Sequence, residues 1–106
     1  MSDDNQVEIP QSFIALFMES GRSKPAATRF FIAKRYELCE DMATLLTQTA
    51  QEMLHRLGIA ESDVLQRCYQ GLLAGEIFNA AESEWVVRRL AELSQWRQPG
   101  VLATAQ

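Results

Sequence analysis

Reactive side chains are scarce in this 106-residue chain, which has one histidine, two cysteines, three prolines and five glycines. A metal site normally needs several His, Cys or carboxylate ligands at matched spacing, and the single His55 has no such companion nearby in sequence. Cys39 and Cys68 lie far apart, outside any CxxC and among apolar neighbours, so two buried reduced thiols are expected in place of a disulfide. So little glycine and proline excludes collagen-like and low-complexity architectures. No apolar run approaches the length of a membrane span. The start, Met1-Ser2-Asp3-Asp4-Asn5, carries neither the basic nor the apolar region of a secretory leader. A cytoplasmic protein without membrane contact is therefore expected. There is no GxxxxGK[ST], no GxGxxG and no nucleophile elbow. No segment alternates with period two, so no sheet is expected, and no repeat recurs at a fixed period.

Acids outnumber bases, 14 to 10, for a net charge of -4. That balance disfavours broad attraction to nucleic acid or anionic membranes. Hydrophobic residues at 47% and charged residues at 23% are ordinary for one small globular domain of 12.0 kDa. Such a domain buries roughly 65% of the surface its unfolded chain exposes. A partner subunit would add apolar burial to this modest core.

Residues 1–8 are polar and acidic and read as a flexible tail. Pro10 suits the first turn of a helix, where its missing N–H costs nothing. Phe13, Leu16 and Phe17 follow at helical spacing, widened by Ile14 and Met18, up to a stop at Gly21. A second helix is expected to begin near Pro25 and to run without Pro or Gly to Leu57, with Gly58 as its cap. Its apolar stripe comprises Leu38, Met42, Leu45, Leu46, Thr49, Met53 and Leu57, bordered by Cys39, Ala43, Ala50 and Leu54. A helix of about 30 residues exceeds what a compact domain of this size can cover, so part of it projects, bends or meets another chain. Glu61 and Asp63 suit the start of a third helix, whose buried face is Val64, Leu65, Cys68, Tyr69, Leu72 and Leu73, with Gly75 as its stop. Asn79 with Glu82 reads as a capping box opening a fourth helix to Trp96 that buries Trp85, Val86, Leu90 and Leu93. The expected fold is all-α: a small bundle of three to four helices with one long helix, a single domain over 9–97 and a flexible tail over 98–106. The short connections favour antiparallel neighbours.

Each chemical signal has a structural counterpart. His55 sits late in the long helix, where a cationic ring complements the dipole. Cys39 and His55 are 16 residues apart on one helix, roughly 24 Å along the axis, too far to act together within a chain. Cys68 could approach His55 across the hairpin, with nothing further to support the pairing. Glu37 and Asp41 stand at i, i+4, where like charges repel mildly, as on a solvated face. The bundle di-metal pattern Glu-x-x-His is absent. Gly71 and Gly75 form a GxxxG that marks close helix packing or a dimer face. No catalytic residue, metal or cofactor is assigned.

Charge segregation carries more information. Arg22, Lys24, Arg29, Lys34 and Arg35 fall within residues 21–36, which hold no acid. Phe30 and Phe31 lie inside this stretch. It can be the solvated start of a helix with both rings packed beneath the N-terminal segment. It can also contact a protein partner, or pair with phosphates while the rings stack on bases. The N-terminal run with Phe13 and Phe17 can cover its own long helix or dock in a groove on another protein.

The segments Ile9-Pro10-Gln11-Ser12-Phe13 with Leu16-Phe17, Arg35-Tyr36-Glu37-Leu38-Cys39-Glu40-Asp41-Met42-Ala43, and Asp63-Val64-Leu65-Gln66-Arg67-Cys68 resemble a group of short, uncharacterised bacterial proteins. Some of that group carry the label "ATPase with chaperone activity". The resemblance implies a bacterial cytoplasmic protein. The nucleotide binding in the label has no phosphate loop to match it here, so no functional residue is carried over.

The sequence therefore points to a non-catalytic protein-interaction module, expected to pair with itself as a homodimer. The residues expected to meet a partner are Phe13, Phe17, Arg22, Lys24, Arg29, Phe30, Phe31, Lys34, Arg35 and Trp85. The alternative is a nucleic-acid-linked regulator using the basic segment 22–35.

Overall fold

The computed structural model describes residues 8–19, 21 and 24–103. The protein is all-α, with helices α1 (Gln11–Ile14), α2 (Arg29–Leu57), α3 (Glu61–Gly75) and α4 (Ala80–Ser94). Among the described residues the only β pairing is a single bridge between Met18 and Pro25. The domain expected over 9–97 divides into two compact units, one reaching Leu38 and the other starting at Cys39. The acidic tail through residue 7 and Arg22 lie outside the described residues.

In the first unit, Pro10 is the N-cap of α1, and its carbonyl accepts from the amides of Phe13 and Ile14. The helix expected to reach Gly21 is only one turn, followed by a 3-10 turn over Ala15–Phe17. The chain then reverses, the Ala26 amide donating to the Phe17 carbonyl at 2.7 Å. Gly21 adopts φ +79° within this reversal, a conformation natural to glycine. Because Pro25 is committed to pairing with Met18, α2 begins four residues later than expected. Thr28 caps it instead, its hydroxyl accepting from the Phe31 amide at 3.1 Å. Phe13 is fully buried and packs against Phe17 and Tyr36, with ring centroids 5.5 and 5.6 Å away. Ile9 and Ile32 complete this core.

In the second unit, the end of α2 packs with α3 and α4. Ala50 meets Val64, Leu65, Cys68 and Tyr69 of α3 and Val87, Leu90 and Ala91 of α4, with Leu46, Met53 and Leu54 alongside. The inward face of α2 differs from the expected stripe by rotation. Cys39, Ala43 and Ala50 are fully buried, whereas Leu38, Leu45 and Leu57 are exposed. The buried set is offset by one residue, about 100° around the helix. On α4, Leu93 is exposed where burial was expected, and Trp85 is half-buried.

The helix ends follow local chemistry. Gly58 closes α2 at φ +64°. The capping box opens α4: Asn79 Oδ1 accepts from the Glu82 amide at 2.8 Å, and Glu82 Oε1 accepts from the Asn79 amide at 3.1 Å. The stops of α3 and α4 fall on Glu76 and Gln95, both left-handed at φ 61°, not on Gly75. The segment 98–103, expected to be loose, is tied down. Arg88 donates to the Pro99 and Gly100 carbonyls at 2.9 and 3.0 Å, and Gln66 Oε1 accepts from the Ala103 amide at 3.0 Å. Leu102 packs on the core. Contact between the start of α3 and the chain just beyond α4 is what an antiparallel helical hairpin requires. Residues 104–106 lie outside the described residues.

Left-handed geometry costs a residue with a side chain about 1 kcal/mol, so Glu76→Gly is expected to stabilise the fold by roughly 0.5 kcal/mol or more in a urea titration. Asn79→Ala is expected to cost about 1 kcal/mol in the same measurement.

Candidate interaction surface

The groups that could carry chemistry differ in their surroundings. Cys39 and Cys68 are both buried and not disulfide-bonded. His55 is exposed, its Nδ1 2.9 Å from the Gln51 carbonyl one turn back. It borders a shallow hollow with Gln51, Glu52 and Arg56. No group of three or more His, Cys, Asp or Glu among the described residues could hold a metal ion. No described helix is long and apolar enough to cross a membrane. The GxxxG face is open: a Cβ at Gly71 or Gly75 would meet nothing within 4 Å, so close packing is not its role within this chain.

The expected partner-contact residues separate by exposure. Phe13 belongs to the core, and Phe17 is half-buried beside it. Phe31 touches Phe17 edge-on at 6.1 Å yet remains 51% exposed, and Phe30 is 73% exposed. Packing of both rings beneath the N-terminal segment is therefore not observed, because the register of α2 turns Ile32 inward instead. Lys24, Arg29 and Lys34 are exposed, and Arg35 is half-buried. The Lys34 ammonium sits 5.6 Å from the Phe30 ring centroid, within cation–π range. Trp85 lies half-buried on α4, away in sequence from the basic stretch. A pocket of about 250 Å³ in the first unit is lined by Ile9, Ile14, Pro25, Ala27, Arg29 and Ile32.

Sequence reasoning placed Leu38 and Leu45 in the core. They are 46% and 70% exposed, and with Phe31 they recur every seven residues along α2. Met42 is partly exposed on the same stripe. That seven-residue spacing was the signal available; the broader apolar stripe through Met42, Leu46 and Met53 masked it.

Elsewhere in the second unit the polar groups are well anchored. Arg89 of α4 grips Glu40 of α2 with two parallel bonds, Nε to Oε1 and Nη2 to Oε2, each 2.9 Å, and donates to Glu92 at 3.0 Å. Its hydrogen bonds to Glu40, opposed only in part by burial, hold the guanidinium more firmly charged than usual. Burial pushes the Cys68 thiol above its ordinary value of 9.0.

The chain matches no protein-family description, no curated protein and no solved structure.

Arg89→Ala is expected to lower unfolding stability by about 1 kcal/mol, because the pair is bidentate yet partly exposed. Cys68 is expected to react with a thiol reagent far more slowly in native protein than in denaturant. Its raised folded value makes the native state resist ionisation that the unfolded chain undergoes. The Cys68 contribution to stability is therefore complete below pH 9.0 and declines as pH rises above it. A Cys68→Ser variant, followed by denaturant titration across that range, is expected to lose this decline.

Proposed function

We propose that the chain is a non-catalytic helical interaction module that pairs with a second copy of itself through the outward face of α2. The observation that carries this reading is the exposed run Phe31, Leu38, Leu45 at heptad spacing, with Met42 between. Isolated exposed apolar residues are normal, but Leu38, Met42 and Leu45 lie within two turns of one another, and clustered exposed apolar residues mark interaction sites. A helix of 29 residues is about 43 Å long, enough for two such faces to build an interface of ordinary size. The scattered positions of the thiols and the imidazole support a binding role over a catalytic one.

The nucleic-acid reading keeps one specific observation in its favour, the exposed Phe30 beside Lys34 in an acid-free stretch. It requires RNA or DNA binding that weakens steeply with salt.

Size-exclusion chromatography with light scattering at tens of micromolar is expected to return the dimer mass. Leu45→Glu is expected to weaken pairing by about tenfold or more, as loss of a buried anchor does, while circular dichroism stays unchanged. A strict monomer over this range would remove the proposal.

A further inference from the structure

The α3–α4 hairpin holds the segment 98–103 as a receptor holds an extended peptide. Arg88 of α4 donates from its two Nη atoms to the Pro99 and Gly100 carbonyls. Gln66 of α3 reads both main-chain groups of one residue. Its Oε1 accepts from the Ala103 amide at 3.0 Å, and its Nε2 donates to the Ala103 carbonyl. All four bonds end on backbone atoms, which nearly any residue type supplies. Two side chains of the segment add to them. Gln98 donates to the Arg88 carbonyl at 3.0 Å, and Leu102 packs on the core. Val101, next to Leu102, is 97% exposed and unread. Main-chain bonds that supply affinity, with a side-chain pocket that supplies specificity, are how proteins capture extended segments. Arg88 also pairs with Glu84 at 2.9 Å, so its charge is already balanced. The site therefore calls for carbonyls, not for acids, and residues 98–103 carry no charge.

We propose that the hairpin surface between Gln66 and Arg88 is a docking site for an extended, uncharged segment of another protein, with a leucine-sized side chain just before the residue that Gln66 reads. Residues 98–103 are its resident, displaceable occupant. The grip on them is modest, one partly buried leucine and hydrogen bonds at the protein surface, which places the segment among those that open locally at low cost. A second copy's segment is the less fitting visitor. Trp96 packs on the same core, and only Arg97 separates it from Gln98, about 3.5 Å of extended chain. The segment cannot reach another copy's groove while its own Trp96 stays seated. Tethering gives the resident an effective concentration in the millimolar range, so an incoming segment binds tightly only once the resident is weakened. This site does not depend on self-association through α2.

A fluorescein-labelled, amidated peptide of residues 97–103, titrated into the full chain, reads the site by polarisation. Leu102→Asp in the chain unseats the resident and is expected to raise affinity for the peptide by about tenfold or more over wild type. Adding Gln66→Ala is expected to remove about tenfold of that affinity, as loss of two hydrogen bonds does. A peptide that itself carries Leu102→Asp is expected not to bind. Equal binding by wild type and the Leu102→Asp chain, or binding indifferent to Gln66→Ala, would overturn the proposal. Circular dichroism checks that each variant folds, and hydrogen exchange on the wild type needs no variant. The Ala103 amide is expected to exchange at least about a hundredfold faster than that of Leu90, through local release. Exchange at the Leu90 rate would mean that the segment opens only with the whole fold, and would overturn the proposal. In mixed labelled and unlabelled wild type, isotope-filtered NMR is expected to show Leu102 contacts within one copy only. Contacts from Leu102 to a second copy's core would assign the groove to exchange between copies and overturn the choice of occupant.

Discussion

The rotation of α2 about its own axis governs the rest of the structure. Its inward positions are Cys39, Ala43 and Ala50, all fully buried. Side chains this small let helices approach closely, so the bulk of the core comes from Val64, Leu65 and Tyr69 on α3 and Val87 and Leu90 on α4. Burying Leu45 instead would bring a long side chain against a hairpin whose inward face is already filled, and overpacking is costly as a void is. Leu46, Met53 and Leu54 flank Ala50 against the core, while Leu38 and Leu45 stay exposed. The exposure of Leu45 is thus a consequence of how the core is filled.

Polar anchors fix that rotation. Glu40 lies next to Cys39 in sequence, and its bidentate pairing with Arg89 ties α2 to α4. The chain beyond α4 is held by Arg88 and Gln66 as described, with Leu102 sealing part of the core. In the first unit a tilted aromatic set, Phe13, Phe17, Phe31 and Tyr36, does comparable work. Offset and edge-on ring contacts of this kind contribute beyond their buried area.

Much of the fold was legible from residues alone because its signals are local. The capping box of Asn79 and Glu82, the stop at Gly58 and the i, i+1, i+4, i+5 pattern of Val64, Leu65, Cys68 and Tyr69 each depend on neighbours a few positions away. What escaped depends on distant partners. Pro25 reads as a helix start until Met18 claims it for a bridge. Glu76 and Gln95 take left-handed turns that no side-chain preference announces. The segment 98–103 lacks any regular pattern, and it is secured by distant partners: carbonyls offered to Arg88, an amide given to Gln66, and Leu102 packed on the core. The exposed apolar surface of α2 was half visible: Phe30, Phe31 and Lys34 stood out by charge and aromaticity. Leu38 and Leu45 did not, since a leucine stripe and an alanine stripe one residue apart cannot be ranked without the volume of what faces them.

The central claim is that the leucine face of α2 is covered by a second copy. Methyl NMR spectra recorded during dilution test it most directly, since each leucine and methionine reports its own surroundings. The account predicts concentration-dependent shifts at Leu38, Met42 and Leu45, with Leu90 and the exposed Ile77 and Val101 unmoved. Shifts confined to Ile77 or Val101, or none at any methyl up to the highest concentration, would contradict it.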